Sequence, residues 1–142
     1  MKTENILPEE STLDPQDWTS IRALGHQMLD DMIDYIQSAA QRPAWKKPSS
    51  YAIASMQQPL PELPQEAAVV YEDFFTQVLP FNTNNIHPRF WGWVQGGGTI
   101  TGMLADMLAS GMNANVSIGE HMPMYVERQV INWAKEMMGF PS

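Results

Sequence analysis

The sequence predicts a mostly α-helical protein. Apolar residues recur at helical spacing in four separate stretches of the chain. These stretches are bounded by residues that start or stop helices, such as Asp14-Pro15 before the first and Gly139 after the last. Only one short segment, His87 to Val94, has a pattern that is also compatible with a strand.

The first predicted helix covers about residues 15 to 41 and follows a flexible tail, residues 1–14. Asp14 is expected to cap it, with Pro15 at the first helical position, where a missing N–H costs nothing. Arg42-Pro43 is expected to end it, because the residue before a proline avoids helical angles. One face of the helix is apolar and contains Ile21, Leu24, Met28, Met32 and Tyr35.

A proline-rich connector, residues 43–64, comes next. Its five prolines predict an extended segment without a regular element. Helical spacing returns from Gln65 to Leu79, with Val70, Phe74 and Val78 on one face, and Pro80 is expected to stop this second helix. A polar turn, residues 82–85, follows it.

The next segment carries aromatic residues and then three glycines. In an extended backbone, Trp91 and Trp93 would share one face, suited either to filling a core or to lining a pocket for a flat ligand. Gly96-Gly97-Gly98, followed by a helix near Thr99, offers backbone N–H groups to a phosphate. The spacing fits neither of the common phosphate motifs and no Lys follows, so a hinge is the favoured interpretation.

Two more helices are predicted in the last third of the chain. The third, capped by Thr99 or Thr101, runs to about Met112 and is apolar nearly all round, so we expect it to be buried. Pro123 opens the fourth and Gly139 closes it.

The chain contains eleven Met and fourteen aromatic residues, more apolar surface than four such helices can hide from one another. We therefore expect contact with another polypeptide or with a further part of the same one. A self-contained helical bundle is the alternative.

Composition excludes several classes of function. Eight Lys and Arg residues against sixteen Asp and Glu give a net charge of −8, which argues against nucleic acid and anionic membranes as partners. The absence of Cys excludes disulfides, thiolate metal sites and a cysteine nucleophile. Neither a signal peptide nor an apolar run of about 18 residues is seen, so a cytoplasmic protein is expected.

The titratable residues predict no catalytic or metal site by themselves. His26 and Asp30 are one helical turn apart and are expected to form a surface pair. Asp30, Asp31 and Asp34 are expected to form a solvated helix face. Glu120 and His121 are poor metal ligands without a third partner.

An ordered series of residues resembles the amino-terminal third of the group II pyridoxal-phosphate-dependent decarboxylases, which include aromatic-L-amino-acid, histidine, tyrosine and glutamate decarboxylases. The series begins with the run from His87 to Trp93 and the three glycines, and it continues with the run from Met103 to Leu108. It also includes Gly25-His26-Gln27-Met28, Asp34-Tyr35, Asn113-Ala114-Asn115, Pro123, Glu127, Trp133 and Met138-Gly139-Phe140-Pro141. The likeness covers roughly residues 17 to 142.

The resemblance implies an α/β fold of the pyridoxal-phosphate fold type I, similar to aspartate aminotransferase, in the complete enzyme. Residues 15–86 would be an amino-terminal helical flap that embraces the partner subunit of a homodimer. Residues 87–142 would be the pocket-lining segment and the first helices of the large domain, which is incomplete here.

The resemblance also implies the roles of specific residues. Trp93, Val94, Gln95 and Gly96 would line the substrate pocket, and Asn115 and Ser117 would reach the neighbouring subunit's active site. Aromatic decarboxylases generally carry Tyr-Phe-Pro-Thr where this chain has Trp-Val-Gln-Gly, a departure that argues against an aromatic substrate.

The family's chemistry depends on a Schiff base between pyridoxal 5'-phosphate and a Lys that usually follows His. Its cofactor-binding residues are expected later than residue 142. The lysines of this chain are Lys2, Lys46, Lys47 and Lys135, and none follows a His.

We therefore expect an amino-terminal fragment of an amino-acid decarboxylase that pairs with a second copy or with a carboxy-terminal portion and is inactive alone. The alternatives are a non-catalytic helical dimerisation or interaction module and a small-ligand pocket around Trp91 and Trp93.

Overall fold

The computed structural model describes residue 12 and residues 14–141, and this part of the chain is helical without strands. The helical class predicted from the sequence is confirmed. The chain divides into two units, Met1–Gly97 and Gly98–Ser142. Most of the predicted flexible tail, residues 1–11 and 13, lies outside the described residues.

Helix α1 spans Trp18–Gln37, so it begins three residues later than the sequence predicted. Asp17 caps it, because its carboxylate accepts hydrogen bonds from the Ser20 hydroxyl and from the Thr19 N–H, the latter at 2.9 Å. These bonds lower the pKa of Asp17. A 3-10 turn, Ala39–Gln41, follows α1, and the helical backbone ends before Arg42-Pro43, as predicted.

The proline-rich connector contains a helix that the sequence interpretation missed. Helix α2 spans Ser50–Ser55. Its N-cap is Ser49, whose hydroxyl accepts the Ala52 N–H at 3.0 Å. The prolines flank this stretch at Pro48 and Pro59, so no ring interrupts its hydrogen bonds and a short helix forms.

The second predicted helix is divided into three pieces. Helix α3 spans Ala67–Asp73, a π-helical turn covers Phe74–Val78, and a 3-10 turn covers Leu79–Phe81. The Leu79 N–H donates to the Phe74 carbonyl, which is the wider hydrogen bond of a π turn. Pro80 lies inside the 3-10 turn instead of ending the helical backbone.

Tyr71 joins α3 to α1 in the first unit. It is buried, and its hydroxyl donates a 2.7 Å hydrogen bond to Oδ2 of Asp31. The rings of Phe74 and Phe75 pack beside it, with centroids 6.5 and 6.0 Å away. The expectation that Asp31 belongs to a fully solvated face was therefore wrong, because the carboxylate is half-buried against a phenol.

Tyr71 should make the stability of the first unit depend on pH in the alkaline range. Burial, followed by the hydrogen bond to Asp31 and its charge, raises the pKa of Tyr71 from 10.0 to about 12. The neutral phenol therefore contributes stability that is complete below pH 10 and is lost as the pH rises through about 12. The free energy of urea unfolding of the natural chain should fall as the pH rises through this range. In Tyr71→Phe, the part of this fall that is due to ionisation of the Tyr71 phenol should be absent. An identical pH profile for both proteins would contradict the assignment.

The second unit contains two helices, α4 over Ile100–Met112 and α5 over Met122–Met137. The hydroxyl of Thr99 accepts the Gly102 N–H at 3.0 Å, which confirms the first of the two predicted caps. Gly139, with φ of 69°, ends α5 as predicted. Its N–H donates to Glu136 and that of Phe140 donates to Lys135, the double hydrogen bond of a Schellman motif.

Among the described residues, the buried side chains all belong to the first unit. Its buried side chains are Ala39, Ala52, Tyr71, Leu79, Asn84 and His87. Among residues 98–141 none is buried, and Leu108 of α4 is 68% exposed. The expectation that this helix is buried nearly all round was wrong for the described chain, because the second unit itself buries none of the α4 side chains.

Candidate functional site

The segment between Phe81 and Thr99 carries most of the candidate residues, and it is built from turns. The strand alternative for residues 87–94 was wrong, since the structure has turns and bends there. The His87 N–H donates to the Asn84 carbonyl and the Phe90 N–H donates to the His87 carbonyl, both at 2.9 Å. Two successive turns therefore shape residues 84–90 of the segment.

Asn84 fixes the start of this segment to the connector. Its side chain is 4% exposed, and its backbone has φ of 48°, a left-handed conformation that Asn tolerates better than most residues. Nδ2 donates to the Pro43 carbonyl at 2.9 Å, and Oδ1 accepts from Arg42 at 3.4 Å. The amide thereby ties two stretches about forty residues apart in sequence.

His87 is buried beneath the same segment. Its Nδ1 accepts the Arg89 N–H at 2.9 Å, so a neutral ring carries its proton on Nε2. Nε2 is buried and has no hydrogen-bond partner among the described residues. A buried N–H without an acceptor costs about 1–3 kcal/mol, so this atom marks a place where a further acceptor would stabilise the fold.

Substitutions at His87 test its role as an acceptor for the turn. His87→Asn keeps an oxygen able to receive the Arg89 N–H, whereas His87→Leu keeps bulk and removes the acceptor. We expect the Leu variant to be less stable than the Asn variant by about 1 kcal/mol in urea unfolding. Equal stability of the two variants would show that the hydrogen bond to Arg89 contributes nothing.

The four residues expected to line a substrate pocket lie at the end of this segment and are exposed. Asn85 holds the end in place, because its Nδ2 donates to the Gly96 carbonyl at 2.9 Å. Trp93 has φ of 52°, an unusual conformation for a bulky side chain, and its ring lies 6.3 Å from that of Phe90. Trp93 is 81% exposed and Val94 fully exposed, with Gln95 and Gly96 also exposed.

Trp91 is 90% exposed, so neither Trp91 nor Trp93 belongs to the core of the described chain. The left-handed backbone at Trp93 also breaks the regular alternation on which the prediction of a shared face depended.

Asn115 and Ser117 form one local hydrogen-bonded turn in the second unit. Oδ1 of Asn115 accepts from the Ser117 N–H at 3.0 Å and from its hydroxyl at 2.6 Å. The Asn115 carbonyl lies 2.9 Å from Nε2 of His121. Both residues are exposed, and the turn is held by its own side chains.

The remaining titratable candidates form no catalytic constellation. His26 and Asp30 are both exposed on α1. Glu120 accepts a hydrogen bond from the Tyr125 hydroxyl, which raises the pKa of Tyr125. Within the part of the chain that the structure describes, no group of three or more His, Asp and Glu side chains could hold a metal ion.

The described residues do not furnish a site for pyridoxal phosphate by themselves. Lys46, Lys47 and Lys135 are exposed, and none lies in the segment expected to line the pocket. The backbone N–H groups after the three glycines are partly occupied, since the Thr99 side chain already receives the Gly102 N–H.

Comparison with known proteins identifies the family. The sequence model "Pyridoxal-dependent decarboxylase conserved domain" matches residues 49–142. An aromatic-L-amino-acid decarboxylase from Bacillus atrophaeus is 29% identical over 85% of this chain and 26% of its own length. A tyrosine/DOPA decarboxylase from Papaver somniferum is 23% identical over 99% of this chain and 28% of its own length. A tyrosine decarboxylase from Narcissus pseudonarcissus is 24% identical over 91% of this chain and 26% of its own length.

The chain belongs to the group II pyridoxal-phosphate-dependent decarboxylase family, because the family model covers about two thirds of it. The resemblance predicted from the sequence is confirmed. The chain spans only about a quarter of the length of the curated relatives it matches. Among the described residues, no helix has both the length and the apolar character needed to cross a membrane.

Proposed function

We propose that these residues form the amino-terminal part of a cytoplasmic, pyridoxal-phosphate-dependent amino-acid decarboxylase, where they supply dimer contacts and walls of the substrate pocket. The observation that carries this proposal is the family match over residues 49–142, which includes every residue expected to line the pocket. The relatives' names, which describe tyrosine, DOPA and aromatic-amino-acid decarboxylases, support the same class of reaction.

The exposure of large apolar side chains supports a role in contacts with other polypeptide. Trp18 on α1 is 63% exposed and Trp133 on α5 is 56% exposed. When a second protein surface covers such an aromatic side chain, the apolar area removed from water contributes favourably to the free energy of association. We propose that residues 15–86 are a flap that packs on the partner subunit of a homodimer.

In the same proposal, residues 87–142 belong to the large domain of a fold type I enzyme, similar to aspartate aminotransferase. Trp93, Val94, Gln95 and Gly96 line the pocket of one subunit, and Asn115 and Ser117 approach the pocket of the other. All six residues are exposed in the described chain, so each is available for such contacts.

The substrate is proposed to be an amino acid, and the relatives favour an aromatic one. The indole of Trp93 offers an aromatic surface against which a substrate ring can pack. The Trp-Val-Gln-Gly run differs from the Tyr-Phe-Pro-Thr run of aromatic decarboxylases and argues against an aromatic substrate, so a non-aromatic amino acid is the second candidate.

The cofactor, when bound in the complete enzyme, serves as an electron sink for the electron pair left by the departing CO2. We propose that the Lys that binds it is outside these 142 residues. The role of this segment is then to orient the amino acid and exclude water with the side chains of residues 93–96.

The proposal is tested by sedimentation of the purified chain, alone and mixed with the rest of the Bacillus atrophaeus decarboxylase lacking its matched quarter. The decarboxylase proposal predicts a stable complex with that remainder. If the chain instead forms a discrete oligomer and does not bind the remainder, the result supports the alternative, a non-catalytic interaction module.

A further inference from the structure

A cleft in the first unit, which we call the flap cleft, lies within the segment to which the proposed function assigns dimer contacts but no ligand. It lies between the end of α1, the start of the connector and the turn after Phe81, and it measures about 160 Å³. A cavity of about 150 Å³ holds a molecule the size of benzene. The flap cleft therefore has room for one small organic molecule.

The lining of the flap cleft is rich in hydrogen-bond donors and positive charge. Its polar residues are Tyr35, Arg42, Lys46, Asn82 and Asn84, and its apolar part is formed by Leu79 with two prolines. No residue that lines it carries a carboxylate. Arg42 and Lys46 thus line one cleft without an acidic neighbour in its lining. This is unusual for a chain with eight Lys and Arg residues against sixteen Asp and Glu.

Arg42 is held rigidly at the cleft by uncharged groups. Nη1 donates to the Tyr35 carbonyl and to the Ser38 hydroxyl, and Nη2 donates to Oδ1 of buried Asn84. The guanidinium carbon lies 3.6 Å from the centroid of the Tyr35 ring. These three partners are neutral and orient the positive charge, while Asp31 and Asp34 line the adjoining cavity on the other side of Arg42 and Tyr35.

Arg42 also retains donors for a ligand. A guanidinium has five N–H donors, and the three contacts just described use three of them. A pre-oriented guanidinium with spare N–H groups suits a planar carboxylate, which can accept two hydrogen bonds at once.

Lys46 and Asn82 extend the donor surface on the connector side and the turn side of the cleft. Lys46 is exposed, and its Nζ lies 4.9 Å from the centroid of the Phe81 ring. Nδ2 of Asn82 lies 3.5 Å from the Tyr35 hydroxyl. Leu79 is buried and supplies an apolar surface next to these donors.

We propose that the flap cleft binds a small carboxylate whose anionic group pairs with Arg42 and Lys46 and whose short apolar part packs on Leu79. The apolar surface favours an organic carboxylate over inorganic phosphate, which has no apolar part to bury. The site is complete within the first unit, so the proposal stands independently of the decarboxylase function.

The test titrates the purified full chain with sodium benzoate, followed by calorimetry and by NMR shifts of the Asn82 and Asn84 side-chain amides. Benzamide serves as the neutral probe and inorganic phosphate as the compact anion. Lys46→Gln removes one cation of the cleft, and Lys47→Gln is the matched control, because Lys47 is an exposed neighbour outside the lining.

We expect saturable benzoate binding that shifts both amides and weakens at high salt, with benzamide and phosphate binding more weakly. Lys46→Gln should raise the Kd about two- to fivefold, as for one exposed charge pair, while Lys47→Gln leaves it unchanged. No saturable benzoate binding, equal effects of the two Lys variants, or tighter binding of phosphate than of benzoate would each overturn the proposal.

Discussion

Tyr71→Ala is expected to destabilise the first unit by about 3–5 kcal/mol, the usual cost of truncating a buried aromatic ring to Ala. Tyr71 is 7% exposed and packs beside Phe74 and Phe75. Its removal also leaves half-buried Asp31 without its phenol donor. A loss of this size is a large part of the stability of a small domain, so urea unfolding followed by circular dichroism should move to much lower urea.

Tyr71→Phe is the matched control, because it keeps the ring and removes only the hydroxyl. It should cost about 1.5–3 kcal/mol, the value of a hydrogen bond to a charged group. The difference in the free energy of unfolding between the two variants measures the contribution of packing by the Tyr71 ring. If Tyr71→Ala unfolds at the same urea concentration as the natural chain, Tyr71 does not join α1 to α3.

The second large effect concerns activity. The purified 142-residue chain, mixed with pyridoxal phosphate and amino acids, is expected to release no CO2 above the rate with the cofactor alone. Its described lysines, Lys46, Lys47 and Lys135, are exposed and lie outside the segment of residues 93–96. Under the proposed function the Lys that holds the cofactor lies outside these 142 residues, and catalysis requires that Lys to position the cofactor beside the substrate.

Borohydride reduction followed by mass spectrometry checks the same prediction independently of turnover. Scattered, substoichiometric labelling of the lysines is expected, as for exposed amines. One fully labelled Lys, together with CO2 release that disappears when that Lys is changed to Arg, would contradict the account.

Local signals in the sequence predicted the helices of the second unit best. Thr99 caps α4, and Gly139 ends α5 with a left-handed backbone, because both roles depend on the chemistry of one residue and its immediate neighbours. The start of α1 was misplaced because Asp14 and Asp17 are both good caps. Ser20 and Thr19, which donate to Asp17, decide between them.

Contacts between distant residues were missed. Tyr71 was not assigned to the apolar face of its helix, although it precedes Phe74 and Phe75 by three and four residues, the spacing that signals a shared face. Val70, which was assigned there, is 49% exposed. The π turn after Asp73 rotates the later residues relative to an ideal helix, so a constant period cannot give the buried face.

Family resemblance predicted which residues belong to the candidate site. It did not predict the backbone conformation of the segment that carries them. The alternation of Trp91 and Trp93 suggested an extended segment. The turn at His87, whose buried ring accepts the Arg89 N–H, and the left-handed backbone of Trp93 override that pattern. The pocket role of residues 93–96 stays a prediction.

The central claim is that this segment forms pocket walls of an amino-acid decarboxylase. Its most direct test is a chimera in which this chain replaces the matched quarter of the Bacillus atrophaeus enzyme, assayed for CO2 release. The panel is L-tyrosine, L-DOPA, L-phenylalanine, L-tryptophan, L-histidine and L-glutamate. The account predicts decarboxylation of at least one of these, with kcat/KM lowered about tenfold or more by Trp93→Ala. The account would be contradicted by a chimera that folds and binds pyridoxal phosphate but decarboxylates none of these amino acids. It would also be contradicted if Trp93→Ala left kcat/KM of the chimera unchanged.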